Sequence, residues 1–446
     1  MKLFGTDGLR GRAGVFPLDP ASVRRLGREV AESLPVAPRR TVVLAGDTRE
    51  STPGLVAQLS AGISEGGGSV VSAGILPTPA VAELVLALGA GAGISVSASH
   101  NPYQDNGIKI FGPDGRKWPD AQEEAVERVL LAARETHGDT GGRGDGETAL
   151  PEADPSLAET YLNRLLSHQK RALDGLPVVL DAGNGAAFRV GPEALRRAGA
   201  RVTVLADRPD GRNINAGCGA LAPAGMAKAT RESGAAIGVA LDGDADRSIF
   251  SDESGRILDG DDALWIIARE WKREGLLPPG GVVGTVMSNY GLETALELEG
   301  IAFCRAAVGD RNVARLMEES GAALGGETSG HILLPFSPAG DGIATTLLLA
   351  SIVRASGGPL SRLATLVKTP QVLRNVRVLR RVPFEGLPSI ARAIEQAREA
   401  LAHRGRVFLR YSGTEPLLRI LVEGSEEKQV VSIADQLEAA VRAELD

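Results

Sequence analysis

The chain has 446 residues and a formal net charge of −7, with 43% hydrophobic, 24% charged and 4% aromatic residues. That length predicts roughly two to four domains, and an acidic balance without Lys/Arg-rich or basic-aromatic runs excludes nucleic acid as the expected partner. No apolar run reaches the about 18 residues of a membrane span, MKLFGTDGLRG has no signal-peptide core, and Cys218 and Cys304 make neither a disulfide framework nor a metal spacing, so a reducing cytoplasm is expected.

In chain order, Asp19-Pro20 reads as the N-cap and first residue of a helix, followed by Val23, Leu26, Val30 and Leu34 at helical spacing. TVVLAGDTRES (41–51) is a buried strand ending in a polar turn, and the same grammar returns in PVVLDAGNGAA (177–187) and GGVVGTVMSN (280–289). Ligands gather at such strand ends in open α/β sheets, and three such units predict three similar α/β domains. Between the first two repeats, ISVSASHNPYQDNGIKIF (94–111) begins as an alternating strand that breaks at Asn101-Pro102, leaving Ser99 at its end. A linker is expected over 134–156, which is rich in Gly, Asp and Glu, with softer boundaries near 252–262 and 366–375. The expected domains are therefore 1–150, 151–253, 254–368 and a smaller α+β unit at 369–446. The last ends in a helix with Val430, Ile433, Leu437 and Val441 on one side.

AAIGVALDGDADRSIF (235–250) carries the strongest local chemistry. A buried strand runs into Asp242, Asp244 and Asp246, spaced two apart, and carboxylate oxygens so placed suit a hard cation such as Mg²⁺ or Ca²⁺. A calcium loop is disfavoured, because Arg247 stands at the sixth position where the sharp turn needs Gly. Arg247 beside three carboxylates favours a ligand that is itself negative, such as a phosphate. In RYSGTEPLLRILVEG (410–424), Arg410, Ser412, Gly413, Thr414 and Arg419 make a plausible phosphate cradle, or else a polar turn between two strands. In LGGETSGHILL (324–334), Glu327, Ser329 and His331 alternate with small residues and are expected on one face, a row suited to a ligand with hydroxyls.

Ser99 then reads as a phosphoryl carrier and not as a hydrolase nucleophile. It lacks a G-x-S-x-G elbow, and His100, its immediate neighbour, points away from it in an extended chain. A serine carrying a phosphoryl group needs a cation, guanidinium groups and a positioned acid/base. Lys109 suits that last task if burial or nearby charge lowers its pKa.

Together these stretches resemble the α-D-phosphohexomutase superfamily. FGTDGLRG (4–11), SASHNPYQDNGIKIFG (97–112), DGDADR (242–247), GGETSGH (325–331) and RYSGTEPLLRILVEG (410–424) occur in the family's order, and DAGNGAA (181–187), NINAGCG (213–219), VGTVMSN (283–289) and VGDRNV (308–313) add shorter echoes. The resemblance implies an α/β fold of four domains around a central cleft, three related α/β units with mixed sheets and a smaller C-terminal α+β domain. It implies a phosphoserine at Ser99, and Mg²⁺ held by Asp242, Asp244, Asp246 and a phosphoserine oxygen. Arg10, His100 and Arg247 would line the transfer site, with Lys109 as acid/base. Glu327 and Ser329 would grip the sugar, with His331 near the reacting end, and the C-terminal loop would hold the phosphate that is not being transferred.

The wording of the phosphate, N-terminal and sugar motifs looks like the glucosamine branch. The implied activity is interconversion of glucosamine 6- and 1-phosphate for cell-wall precursor synthesis, with glucosamine or glucose 1,6-bisphosphate as intermediate or activator, in a monomer or homodimer. That branch often has Gln after the sugar-loop glutamate, where this chain has Thr328. Phosphoglucomutase or phosphomannomutase activity and a non-catalytic sugar-phosphate binding protein are the alternatives, with a metal-dependent phosphatase behind them.

Overall fold

The computed structural model describes residues 2–5, 7–35, 40–137, 148–411 and 416–445. The chain forms two compact units, residues 1–285 with 306–365, and residues 286–305 with 366–446. Among the described residues no helix is long and apolar enough to cross a membrane.

Among the described residues, three sheets have strands in the first unit. The first has six strands in the order Phe4–Gly5, Gly8–Arg12, Asp105–Phe111, Ala92–Val96, Thr41–Gly46, Ser69–Ile75. The last three are parallel, whereas Asp105–Phe111 runs antiparallel to both Ala92–Val96 and Gly8–Arg12, so the sheet is mixed. The helix signalled by Asp19-Pro20 spans Pro20–Ser33, with the Asp19 side chain accepting from the Ser22 N–H at 3.0 Å. Its Val23, Leu26 and Val30 join Val42, Leu44, Ile94 and Ile108 in one core. Helix Thr52–Glu65 lies close against it, because Gly62 has no Cβ to meet the Arg24 carbonyl.

The second sheet runs Ile257–Leu258, Ser248–Ser251, Ile237–Leu241, Pro177–Asp181, Arg201–Leu205. Its three α/β-type strands are parallel, and Ser248–Ser251 turns back antiparallel on Ile237–Leu241. Residues 242–247 are therefore the short connection between two paired strands, which concentrates their carboxylates. In the third sheet Val282–Thr285 is parallel to Leu324–Gly326, which pairs antiparallel with Ile332–Leu333. Helices Gly260–Arg273 and Gly342–Ser356 are each capped by an aspartate, Asp259 and Asp341.

The second unit is antiparallel. Leu417–Gly424 is its central strand, flanked by Gln371–Arg377 and Gly405–Tyr411. Helices Pro388–Leu401 and Glu427–Leu445 bury Ile390, Leu401, Val430, Ile433, Leu437 and Val441 against Leu418, Ile420 and Val422. The expected terminal helix is thus present with its expected apolar face. Segment 286–305 belongs here through bonds of its own: the Tyr290 N–H donates to Glu423 at 3.0 Å, and Asn289 donates to the Thr369 carbonyl at 3.0 Å. The expected linker over 134–156 is helical as far as His137, and 138–147 lie outside the described residues.

Candidate active site

Ser99 sits just past strand Ala92–Val96, fully buried, with a left-handed φ of 53°. Its hydroxyl donates to Asp242 Oδ2 at 2.6 Å. The left-handed turn also swings the next side chain back, so His100 Nδ1 lies 3.2 Å from Ser99 Oγ. The expectation that His100 points away assumed an extended chain, and the backbone at Ser99 is not extended. Burial first, then the positive charges of Arg247 and Arg10, lower the His100 pKa to about 4, so its imidazole is neutral at physiological pH.

Asp242, Asp244 and Asp246 offer oxygens within 4.8 Å of one another, all buried. Ala245, with φ 55°, makes the turn that brings the second and third inward. Thr78 donates to Asp244 Oδ2 at 2.6 Å, and Lys109 Nζ reaches Asp244 and Asp246 at 2.9 Å each and Asp7 at 3.0 Å. Oδ1 of Asp244 and Oδ1 of Asp246 are buried without a hydrogen-bond partner among the described residues. Such orphaned carboxylate oxygens in an all-oxygen donor set fit a divalent hard cation. Arg247 Nε stands 3.7 Å from Asp246 and 4.0 Å from Asp242.

The electrostatics correct one expectation. Burial opposes charge on Lys109, but Asp244, Asp246 and Asp7 outweigh it and lift the ammonium well above its ordinary pKa. Burial also opposes ionisation of Asp246 and Asp7, yet Lys109 holds both well below the usual carboxylate range. Asp242, in contrast, is pushed up, by burial and then by the like charges of Asp246 and Asp244.

A second layer of charge lies behind this one. Asp7 bonds Arg10 and Lys117, and Lys117 Nζ meets Asp310 at 2.6 Å. Arg10 also donates to Asn101 at 3.3 Å. His331 stands 3.8 Å from both Asp246 and Asp310. Burial disfavours its charge, but those carboxylates raise its pKa.

Glu327, Ser329 and His331 do not form a row on one strand face. They occupy the turn that joins Leu324–Gly326 to Ile332–Leu333. Glu327 accepts from the Gly309 N–H at 2.8 Å and lies 3.4 Å from the Ser329 hydroxyl, while the His331 ring turns to the metal-loop side. Thr328 Oγ1 lies 3.3 Å from Asp261 Oδ2, in the first turn of helix Gly260–Arg273.

In the second unit Arg410 faces Arg419 directly across paired strands. Like charges opposite one another are unfavourable, and burial together with Arg419 lowers the Arg410 pKa. An anion placed between the two guanidinium groups would relieve that repulsion. Ser412, Gly413 and Thr414 lie outside the described residues.

Comparison with known proteins decides the family. The descriptions of phosphoglucomutase/phosphomannomutase match domain by domain: α/β/α domain I over 1–137, domain II over 159–255, domain III over 259–369 and the C-terminal domain over 373–440. A phosphoglucosamine mutase of Thermus thermophilus is 46% identical over 445 residues, spanning 99% of this chain and 98% of the relative. One from Symbiobacterium thermophilum is 44% identical, spanning 100% and 99%. This chain belongs to the phosphoglucosamine mutase family.

Solved structures agree on the fold. A Burkholderia thailandensis phosphoglucomutase/phosphomannomutase family protein superposes with a TM-score of 0.79 at 24% identity, over 99% of this chain and 97% of its own. An Aspergillus fumigatus N-acetylphosphoglucosamine mutase, solved with GlcNAc-6P and magnesium, gives 0.66 at 17% identity over 100% and 96%. The family's three α/β domains and small C-terminal domain are the architecture expected from sequence. Three charged residues of this cluster escaped the sequence reading, Asp7, Lys117 and Asp310; Asp7 and Asp310 lie inside FGTDGLRG and VGDRNV, so their signal was position and not residue type.

Proposed function

We propose that this chain is an isomerase, a phosphoglucosamine mutase, which interconverts glucosamine 6-phosphate and glucosamine 1-phosphate through phosphoserine 99 and a 1,6-bisphosphorylated sugar. The product feeds amino-sugar nucleotide synthesis for the cell wall. The observation that carries this reading is the Ser99 hydroxyl, 2.6 Å from Asp242 and within a buried carboxylate triad.

In the first half-reaction a sugar hydroxyl attacks the phosphorus on Ser99. A P–O bond to the sugar forms, the P–O bond to Ser99 breaks, and the net proton passes from the attacking hydroxyl to the departing serine oxygen. Lys109, an ammonium at rest, and neutral His100 beside Ser99 Oγ are the groups at hand to carry it. Turning the bisphosphate end for end and reversing the step returns a phosphoryl group to Ser99. Arg10 and Arg247 draw on the transferring oxygens, and such fixed charge must supply most of an acceleration on the order of 20 kcal/mol for phosphate-monoester chemistry. Asp242, Asp244 and Asp246 would hold Mg²⁺ with a phosphoserine oxygen, and the ion would stabilise charge on the phosphoryl group.

Glu327, beside the Ser329 hydroxyl, would bind sugar hydroxyls, and His331 would stand near the reacting end. Arg410 and Arg419, with Ser412, Gly413 and Thr414, would take the other phosphate. Glucosamine or glucose 1,6-bisphosphate would prime the enzyme. The two free cysteines support a cytoplasmic setting. The glucosamine assignment is supported by the full-length relatives named phosphoglucosamine mutase, and Thr328, where that branch often has Gln, is the position that departs from it.

Phosphorus NMR of the purified protein with Mg²⁺ and trace bisphosphate, offering glucosamine, glucose and mannose 6-phosphates separately, tests the proposal. Glucosamine 1-phosphate forming at least tenfold faster supports it. Equal or faster conversion of glucose or mannose phosphate would overturn the substrate assignment and leave the phosphoryl chemistry standing.

A further inference from the structure

DAGNGAA (181–187) and NINAGCG (213–219) have no role in the chemistry above, yet both wrap one side chain. Asp181 accepts from the backbone N–H groups of Gly183 and Gly219 at 2.9 Å each, drawing the two loops together. Asn215 sits between them with φ 56°, its own N–H donating to the Gly183 carbonyl at 2.9 Å. From there its amide leaves the second sheet's loops altogether. Nδ2 donates to the carbonyl of Ser99 at 2.9 Å.

The same carbonyl accepts a second bond, from Arg49 Nη2 at 3.0 Å. Arg49 is fully buried and neutralised by Asp47 at 2.8 Å, and its remaining N–H groups reach the carbonyls of Asn101 and Pro102. Asp47 completes the circuit. It accepts from the Ser97 hydroxyl at 2.6 Å, and Ser97 Oγ accepts from the Ser99 N–H at 3.0 Å. Both backbone polar groups of Ser99 are therefore tied. A serine in the left-handed region is strained, and such strain persists only where its surroundings over-determine it.

We propose that Arg49 and Asn215 form a carbonyl clamp on Ser99, two donors from different sheets that hold the serine backbone so that Oγ faces Asp242. Both are positioning residues, acting through Ser99, and the inference rests on Ser99 being the phosphoryl carrier. Arginine is required because one planar fork serves Asp47 and three carbonyls at once, which a lysine ammonium does not match. Asn215 fixes the position of the serine loop relative to the metal loop, because its amide belongs to the sheet that carries Asp242.

The test is single-turnover transfer on the full chain. Protein is primed with labelled glucose 1,6-bisphosphate, mixed with glucosamine 6-phosphate and quenched, for the parent, Asn215→Gly and Arg49→Lys. Asn215→Gly keeps the positive φ and removes the donor. The expected result is a rate constant per labelled serine at least about tenfold lower in both variants, since small misplacements of reacting groups cost rate steeply. Half-saturation by the sugar phosphate should stay within about twofold. A merely structural role would reduce how much protein takes label but leave the rate per labelled site unchanged. Rates per labelled site within threefold of the parent overturn the clamp. If Arg49→Lys does not fold, Asn215→Gly, at a half-buried loop position, decides alone. A parent that takes no label on Ser99 overturns the phosphoserine reading, and the clamp with it.

Discussion

Gly243 lies between the first two aspartates of the metal loop, and adding one methyl group there tests how tightly that loop is fitted to Ser99. A Cβ on Gly243 would stand 2.5 Å from the Ser99 carbonyl oxygen, 2.8 Å from Ile214 Cδ1 and 3.0 Å from Asn215 Nδ2. Real Cβ atoms almost never approach closer than 3.0 Å, so at least half an ångström must be found. Ile214 can turn aside, but the carbonyl is held by Arg49 and Asn215 at 3.0 and 2.9 Å. The metal loop has to yield instead, opening the 2.6 Å contact between Ser99 Oγ and Asp242. A displacement approaching 1 Å at reacting groups costs about a hundredfold in rate, and overpacking a well-filled site costs about 1–3 kcal/mol of stability. Gly243→Ala should therefore lose turnover by tens to a hundredfold while still folding, with a melting temperature lowered by several degrees. The assay is steady-state conversion of glucosamine 6-phosphate beside a thermal melt. A variant keeping more than half the parental turnover with an unchanged melt would refute the reasoning.

Other perturbations have equally definite outcomes. EDTA should abolish turnover and added Mg²⁺ restore it, and Asp246→Asn, which removes one charged oxygen donor, should raise the half-saturating Mg²⁺ concentration at least about tenfold; activity indifferent to EDTA would contradict the triad's role. Arg410→Gln should raise KM for sugar phosphate without lowering the melting temperature, because it removes a like-charge pair as well as an anion contact; an unchanged KM would count against the phosphate site. Asp341, buried beside the Tyr161 hydroxyl at 2.8 Å and near Glu83, is pushed up to about 6, chiefly by burial. A carboxyl whose pKa is raised in the folded state favours folding fully below its ordinary pKa and loses that contribution as pH rises through 6. Asp341→Asn keeps the helix cap and should therefore lose less stability than the parent between pH 5 and pH 7 in paired thermal melts; parallel losses would show that the carboxyl does not titrate there.

What could be read from sequence was what lies close along the chain. The aspartates of DGDADR follow a strand, so their convergence is a local matter, and the structure brings them within 4.8 Å of one another. The helix after Asp19-Pro20 and the terminal helix were legible through caps and apolar spacing. The second layer of charge was not, because its members meet only after folding: Lys117 joins Asp7 from more than a hundred residues away and Asp310 from nearly two hundred. The same limit explains Lys109. Burial alone would lower its pKa, and only the three carboxylates assembled around it reverse the direction. The closeness of His100 to Ser99 depends on the backbone, since neighbouring side chains diverge in a strand but not across a left-handed serine. The sugar loop shows the converse error, where alternation that suits a strand belongs to a turn.

A Ser99 that carries the phosphoryl group through each turnover must both take up label and give it away. The most direct measurement incubates the protein with labelled glucose 1,6-bisphosphate, maps the label by peptide mass analysis, and then chases it with unlabelled glucosamine 6-phosphate. Label is expected on Ser99 alone, with transfer of that label to the sugar on the chase and none taken up by Ser99→Ala. Steady turnover with no label at Ser99, or label there that the sugar phosphate does not discharge, would contradict it.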